Sequence, residues 1–291
     1  MKIKYILFFL TIIILHPSIS CEDIDREVRL AYICDLEEDL VEISGIIPFG
    51  DNIIGVGDSG SKNSLFEINN LCSIVNEYNI PEANNTDWEA IAISDSIIYL
   101  GNFGNNFGDR TDLEIIKIDV GNLALETPIL SKISFTYEDQ DNFENRETHN
   151  FDCEAMIVVG PDIFLFTKNR ANTTTHVYNL NILETQQVAK RVENLNIPKL
   201  VTDAYYFEEE NAVLFTAYEY SQSEKSFLND VYISNYNEDS FISFPIPYEG
   251  VIHRQVESIC VLNDEILVAS EAENGANPLL FSADYWLFRN Q

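Results

Sequence analysis

Five acidic residues recur along this chain, each followed by a small residue, one position later in the slightly stretched first case, and at the head of an apolar run: Glu42, Glu89, Glu154, Asp203 and Glu257. Their settings are Glu42-Ile43-Ser44-Gly45-Ile46, Trp88-Glu89-Ala90-Ile91, Cys153-Glu154-Ala155-Met156, Thr202-Asp203-Ala204-Tyr205 and Val256-Glu257-Ser258-Ile259. Carboxylates gathered in one narrow space repel one another. Each must be protonated, paired with a base or bound to a cation. Calcium takes roughly six to eight oxygen ligands from carboxylates, amides, carbonyls and water, so this residue set suits it. Few histidines and no cysteine pairs accompany the pattern, so zinc and copper fit poorly. A second reading explains the repetition equally well: each carboxylate accepts backbone N–H groups from a neighbouring element and braces the packing. Both readings stay open at this stage.

The elements that must position these residues are strands. The acidic residues lie 47, 65, 49 and 54 positions apart, a period expected of a propeller or a solenoid. After each motif comes a turn, then a second apolar strand: Ile53 to Val56, Ile97 to Leu100, Ile163 to Phe166, Ala212 to Phe215 and Ile266 to Val268. A polar loop and a third strand follow, and in all but the last unit a fourth, more polar strand. The last unit is short, while Glu27 to Leu36 reads as a strand without a sheet. The pattern therefore predicts an all-β fold, a five-bladed β-propeller closed by the N-terminal strand. A six-bladed ring with one unread blade is the alternative. The longest interval holds an acidic insertion, Glu138 to Asp152.

In a propeller the innermost strands line a channel, and their starts share one face with the loops that follow the second strands. That geometry gathers the five acidic residues at one mouth. Around them it places Asp58, Asn102, Asn105, Asn106, Lys168, Asn169, Arg170, Glu219, Glu271 and Asn274. The glycine- and asparagine-rich stretch 101–110 reads as a long turn or as an amide-lined contact. It lacks the lysine and helix of a phosphate-binding loop. Lys168 and Arg170 either neutralise the acidic rim or hold an anionic group beside a cation. His149 and His253 are the candidate bases, and no G-x-S-x-G elbow is present.

The 291 residues carry 17 basic and 48 acidic side chains, for a net charge of −31. Such a chain neither neutralises phosphates nor docks on an anionic membrane surface. With 46% hydrophobic residues it is rich enough to build a core. Lys2 and Lys4, the apolar run Tyr5 to Leu15 and the small residues before Cys21 form a signal segment over 1–20. Its ending fits a bacterial lipoprotein signal, with Cys21 lipidated, a tether over 21–26 and one propeller domain over 27–291. An ordinary secretory signal cut near Ser20 is the other reading. Excluding the segment takes the net charge from −31 to −33. Cys34, Cys72, Cys153 and Cys260 show no C-x-x-C spacing. They allow a disulfide or buried thiols, with no pairing assigned.

Over roughly residues 38 to 283 the motifs resemble those of the SdiA-regulated family of exported bacterial β-propellers. The resemblance rests on Glu42…Ser44-Gly45-Ile46, Trp88-Glu89-Ala90-Ile91, Glu154-Ala155-Met156, and Glu257-Ser258-Ile259 followed by Ala269-Ser270-Glu271. It departs at Asp203-Ala204 and in the 138–152 insertion. It implies a five-bladed ring, a bound calcium ion and no established enzymatic activity. Some relatives are described as phytase-like or esterase-like. The expected protein is an exported or lipid-anchored, monomeric, calcium-binding propeller. It takes a small molecule or a protein at its acidic mouth. The alternative is a calcium-dependent hydrolase of phosphate or carboxylic esters.

Overall fold

The computed structural model describes residues 30–285, apart from 126–127, 173, 224, 237–241, 246–253 and 274. The signal segment, Cys21, His253 and Asn274 lie outside the described residues. No helix among those described is long and apolar enough to cross a membrane.

The chain opens with β1 (Ala31–Asp35) and then runs through up-and-down meanders. The first is β2 (Ile43–Phe49), β3 (Asn52–Gly57), β4 (Ser64–Ile68) and β5 (Ile74–Asn79). Next come β6 (Trp88–Ser94), β7 (Ile97–Asn102), β8 (Glu114–Asp119) and β9 (Ile129–Tyr137), then β10 (Cys153–Val159), β11 (Asp162–Thr167), β12 (Thr175–Asn181) and β13 (Gln186–Leu195). After these come β14 (Leu200–Phe207), β15 (Ala212–Ser221), β16 (Ser226–Asn235) and β17 (Ile242–Pro245). The chain closes with β18 (Val256–Leu262), β19 (Glu265–Ser270) and β20 (Leu279–Asp284). As the sequence pattern predicts, β1 is the outermost strand of the last sheet, in the order β1-β20-β19-β18.

Local chemistry explains the repetition. Two-residue turns join first to second strands at Gly50-Asp51, Asp95-Ser96, Gly160-Pro161 and Asn263-Asp264. Positive φ at Asp95, Ser96, Asn263 and Asp264 gives these hairpins the twist their strands need. The inner strands are buried on both faces, so their sequences are continuous apolar runs rather than alternating ones. Outer strands such as β5 are mostly exposed or half-buried.

The core lies between consecutive sheets. Ile47, Ile54 and Val56 pack on Ile91, Ile98 and Leu100, and the pattern repeats around the molecule. It closes where Leu36, Ile43, Ile46 and Ile53 meet Cys260, Leu267 and Leu280, the last sheet against the first. Two features were not legible beforehand. The edge strands β9 and β13 pair in parallel, fusing two meanders into an eight-stranded sheet. Both are fourth strands of consecutive meanders, so they run in the same direction where their edges meet. Cys34 in β1 also forms a disulfide with Cys72 in the β4–β5 turn, 38 positions away, while Cys153 and Cys260 are buried free thiols.

The disulfide joins the last sheet to the first at the closure point. A bridge acts mainly by restricting the unfolded chain. Replacing both Cys34 and Cys72 by serine should cost about 3 to 4 kcal/mol, as expected for a loop of this length. Denaturant titration measures this, and an unchanged midpoint would separate the bridge from ring closure.

Candidate functional site

Each innermost strand carries a one-residue bulge near its start. The extra residue is Ser44 in β2, Glu89 in β6, Glu154 in β10, Thr202 in β14 and Glu257 in β18. Bulges re-aim side chains, and here they define the equivalent positions. This corrects the repeat alignment at two places. Glu42 sits two residues before its bulge and is exposed, and Asp203 sits one residue after its bulge. The nearest carboxylate marked the repeat in sequence, whereas register decides equivalence.

The two hydroxyls at bulge positions brace the ring. Ser44 Oγ donates to the carbonyl of Trp88 at 2.7 Å, and Thr202 Oγ1 donates to that of Val256 at 2.7 Å. Both acceptors immediately precede the bulge of the next inner strand. Asp203 is also a brace. Its two oxygens accept the backbone N–H groups of Ala204 and Ile259, each at 2.8 Å. Burial drives its carboxyl up while those N–H groups pull it back. The packing reading therefore describes Ser44, Thr202 and Asp203.

Glu154 and Glu257 belong to a different arrangement. Lys168, just past β11, is buried with Nζ 3.0 Å from Glu154 Oε2 and 3.9 Å from Glu257 Oε1. Burial works against its charge, but Glu154 and Glu257 outweigh this and hold it well above the ordinary lysine range. Arg170 clamps Asp152 through Nε at 3.0 Å and Nη2 at 2.8 Å, and stands 3.8 Å from Glu154. Burial pushes Glu257 up to about 7 despite Lys168. Glu271 donates nothing and accepts from Gln255 Nε2 at 2.8 Å; burial and then Glu257 raise it to about 8.

On the other side stand Asp58, Asp87 and Glu89. One oxygen from each lies within 4.8 Å of the others. Glu89 is only 6% exposed, and its side chain makes no hydrogen bond to another described residue. Burial, then Glu154 and Asp58, drive its carboxyl well above the carboxylate range. Asp87 is pushed up to about 8 by burial and by its hydrogen bond with Asp58, with Arg110 opposing weakly. Gly104 makes room for this cluster. A Cβ there would stand 2.5 Å from Asp87 Oδ2 and 2.6 Å from Glu89 Cγ. The sequence reading missed Asp87, Asp152 and Tyr218. The available signal was Asp two places before a ring glutamate, in Asp87-Trp88-Glu89 and Asp152-Cys153-Glu154.

The remaining mouth residues form walls. Asn102 receives the Asp87 N–H at 3.2 Å. Asn105 accepts from Arg110 N at 3.0 Å, while its own N–H reaches Asp152 Oδ1 at 2.8 Å. Arg110 donates to the Gly104 carbonyl at 2.7 Å. The 101–110 stretch is thus a pinned loop, and the 138–152 insertion packs on it. His149 is buried between the two, with Nε2 3.1 Å from the Asn106 carbonyl and Nδ1 accepting from Phe151 N at 3.1 Å. Both ring nitrogens are committed, so His149 is not a free base. Glu219 is exposed on the part of β15 that rises above the mouth.

These shifts set a pH dependence. Asp87, Glu257 and Glu271 hold protons more tightly folded than unfolded. Their contribution to stability is complete below the unfolded values and is lost as pH rises through the folded ones. The chelator-treated domain should therefore melt at falling temperature between about pH 5 and about pH 8, and Asp87→Asn should flatten the slope. Parallel slopes for the variant and the parent would remove Asp87 from the cause.

No family model matches this chain, and no curated protein matches it in sequence. Solved structures share its architecture. The catalytic domain of a GH62 α-L-arabinofuranosidase from Coprinopsis cinerea superimposes with a TM-score of 0.52 at 11% identity, covering 88% of this chain and 97% of that one. An α-L-arabinofuranosidase from Podospora anserina, solved with cellotriose, gives 0.50 at 10% identity over 88% and 96%. A glycosyl hydrolase from Bacteroides ovatus gives 0.50 at 9% over 87% and 85%. At these identities the likeness is one of fold: the chain is an all-β protein of β-propeller architecture.

Proposed function

We propose that this chain is an exported, lipid-anchored, five-bladed β-propeller that holds a calcium ion at Asp58, Asp87 and Glu89 and binds a ligand above it, without catalysing a reaction. The observation that carries this reading is uneven neutralisation. Lys168 serves Glu154 and Glu257, and Arg170 serves Asp152. Among the described residues the Asp58–Asp87–Glu89 cluster has no ion pair with a base, and the side chain of its buried Glu89 makes no hydrogen bond. Buried carboxylates this close need protons or a cation. The donors are all hard oxygens, which favours calcium over zinc or copper. The resemblance to the SdiA-regulated propellers points to the same ion.

Five meanders, counting β1 with the last, support the blade number. The Cys34–Cys72 disulfide supports an oxidising compartment, in keeping with the signal-like segment before Cys21. The committed nitrogens of His149 remove that residue as the base beside the ion that ester hydrolysis would need.

The first test is the melt of the metal-stripped mature domain with and without calcium. At about 100 times its dissociation constant, calcium should add about 2.7 kcal/mol of stability. Calorimetry should show Asp87→Asn and Glu89→Gln losing most of the affinity, Glu154→Gln losing less, and Ser44→Ala unchanged in binding. Equal titrations for parent, Asp87→Asn and Glu89→Gln would end the metal assignment. Separately, Cys21→Ser should move the full-length protein from the detergent phase to the aqueous phase. Retention in the detergent phase would refute lipid anchoring.

A further inference from the structure

The mouth has an aromatic wall on the side away from the proposed ion. β15 and β16 are ten residues each, whereas β3, β7, β11 and β19 have six. The extra length lifts their hairpin above the mouth. Along it, Lys168 Nζ lies 5.0 Å from the Tyr218 ring centre, and Tyr218 meets Phe227 at 5.0 Å. Phe227 meets Tyr220 at 5.2 Å and is its cross-strand partner. Tyr218 and Tyr220, two positions apart on a strand, share a face. The ladder therefore starts at the buried Lys168 on the mouth floor and climbs to Tyr220, which is 43% exposed.

Charge narrows what fits between this wall and the ion. Lys168 and Arg170 are already engaged by Glu154, Glu257 and Asp152. Neither base is left free to pair an incoming anion. A phosphate or carboxylate ligand would have to break one of these pairs and strand a buried carboxylate. The ion, held from one side by three carboxylates, keeps positions open for neutral oxygens.

We propose that the mouth binds a neutral saccharide, with its hydroxyls completing the calcium coordination and its C–H face lying on the exposed Tyr220 ring, which Phe227 holds edge to face. This rests on the calcium reading above. Aromatic rings present apolar faces with polar edges, which suits a ring molecule that is apolar on one face and hydroxylated around its rim.

The test is saturation-transfer NMR on the calcium-loaded mature protein. The probes are neutral xylo- and cello-trisaccharides, oligogalacturonate as the acidic counterpart, and spermidine as an organic cation. A neutral trisaccharide should bind, and chelator should abolish the signal. Tyr220→Ala and Phe227→Ala should each weaken saccharide binding about tenfold while leaving calcium calorimetry unchanged, and Tyr220→Phe should retain it. Normal calcium binding with no neutral saccharide signal overturns this proposal and leaves the ion site standing. Preference for oligogalacturonate, or spermidine displacing calcium, overturns it too. Absence of calcium binding in the parent protein removes the ion site first, and that result is read by calorimetry without any sugar.

Discussion

The mouth of this propeller is governed by a shortage of positive charge. Inner strands converge there, so every side chain at a bulge or just past a second strand enters one confined space. Two bases reach into it, Lys168 buried and Arg170 half-buried. Lys168 stands between Glu154 and Glu257, and Arg170 is locked on Asp152. Removing either base would strand a buried carboxylate, a far larger cost than an exposed pair contributes. Their placement on the β10–β11 side fixes the electrostatics of the other side. Asp58, Asp87 and Glu89 are left to resolve their repulsion by taking protons or an ion.

Glycine and loop chemistry serve that same constraint. Gly104 admits the Asp87 and Glu89 side chains into a volume that any Cβ would occupy. Gly108 lies against His149 with φ of 70°, letting the 101–110 loop meet the insertion closely. Arg110 is spent on the carbonyls of Gly104 and Asn102 and on Asp112 rather than on the carboxylates of the cluster. A positive residue is thus present near the cluster, yet its hydrogen bonds hold the loop and leave the cluster acidic.

The architecture was legible because its causes are local. Double-sided burial gives continuous apolar strands, and two-residue turns separate them, so β3, β7, β11 and β19 fall where the sequence places them. The ring glutamates Glu89, Glu154 and Glu257 were legible for the same reason. Glu42 and Asp203 were not, since a bulge is defined by the partner strand: Ser44 is skipped between Ile43↔Gly57 and Gly45↔Val56, and nothing in the local sequence says so. The grouping of Asp58 with Asp87 joins two meanders, and the Cys34–Cys72 bridge joins the two ends of the ring. The first depends on how neighbouring meanders pack and the second on ring closure, and neither is written in a local stretch of sequence.

The bulge positions show how one backbone device supports two tasks. A hydroxyl there is short and carries its own donor, so Ser44 and Thr202 can reach the carbonyl before the next bulge and lock neighbouring inner strands. A glutamate lacks that donor when ionised and is too long for the same bond, so it must look for a base or a cation at the mouth. The division of the bulge positions between hydroxyls and glutamates is therefore physical in origin. Where the hydroxyls stand, the ring is fastened. Where the glutamates stand, stability is surrendered locally unless something positive arrives. Lys168 arrives from within the chain for Glu154 and Glu257. For Glu89 no such residue exists among those described, and the cluster it forms with Asp58 and Asp87 is the one part of the mouth whose charge balance must be completed from outside.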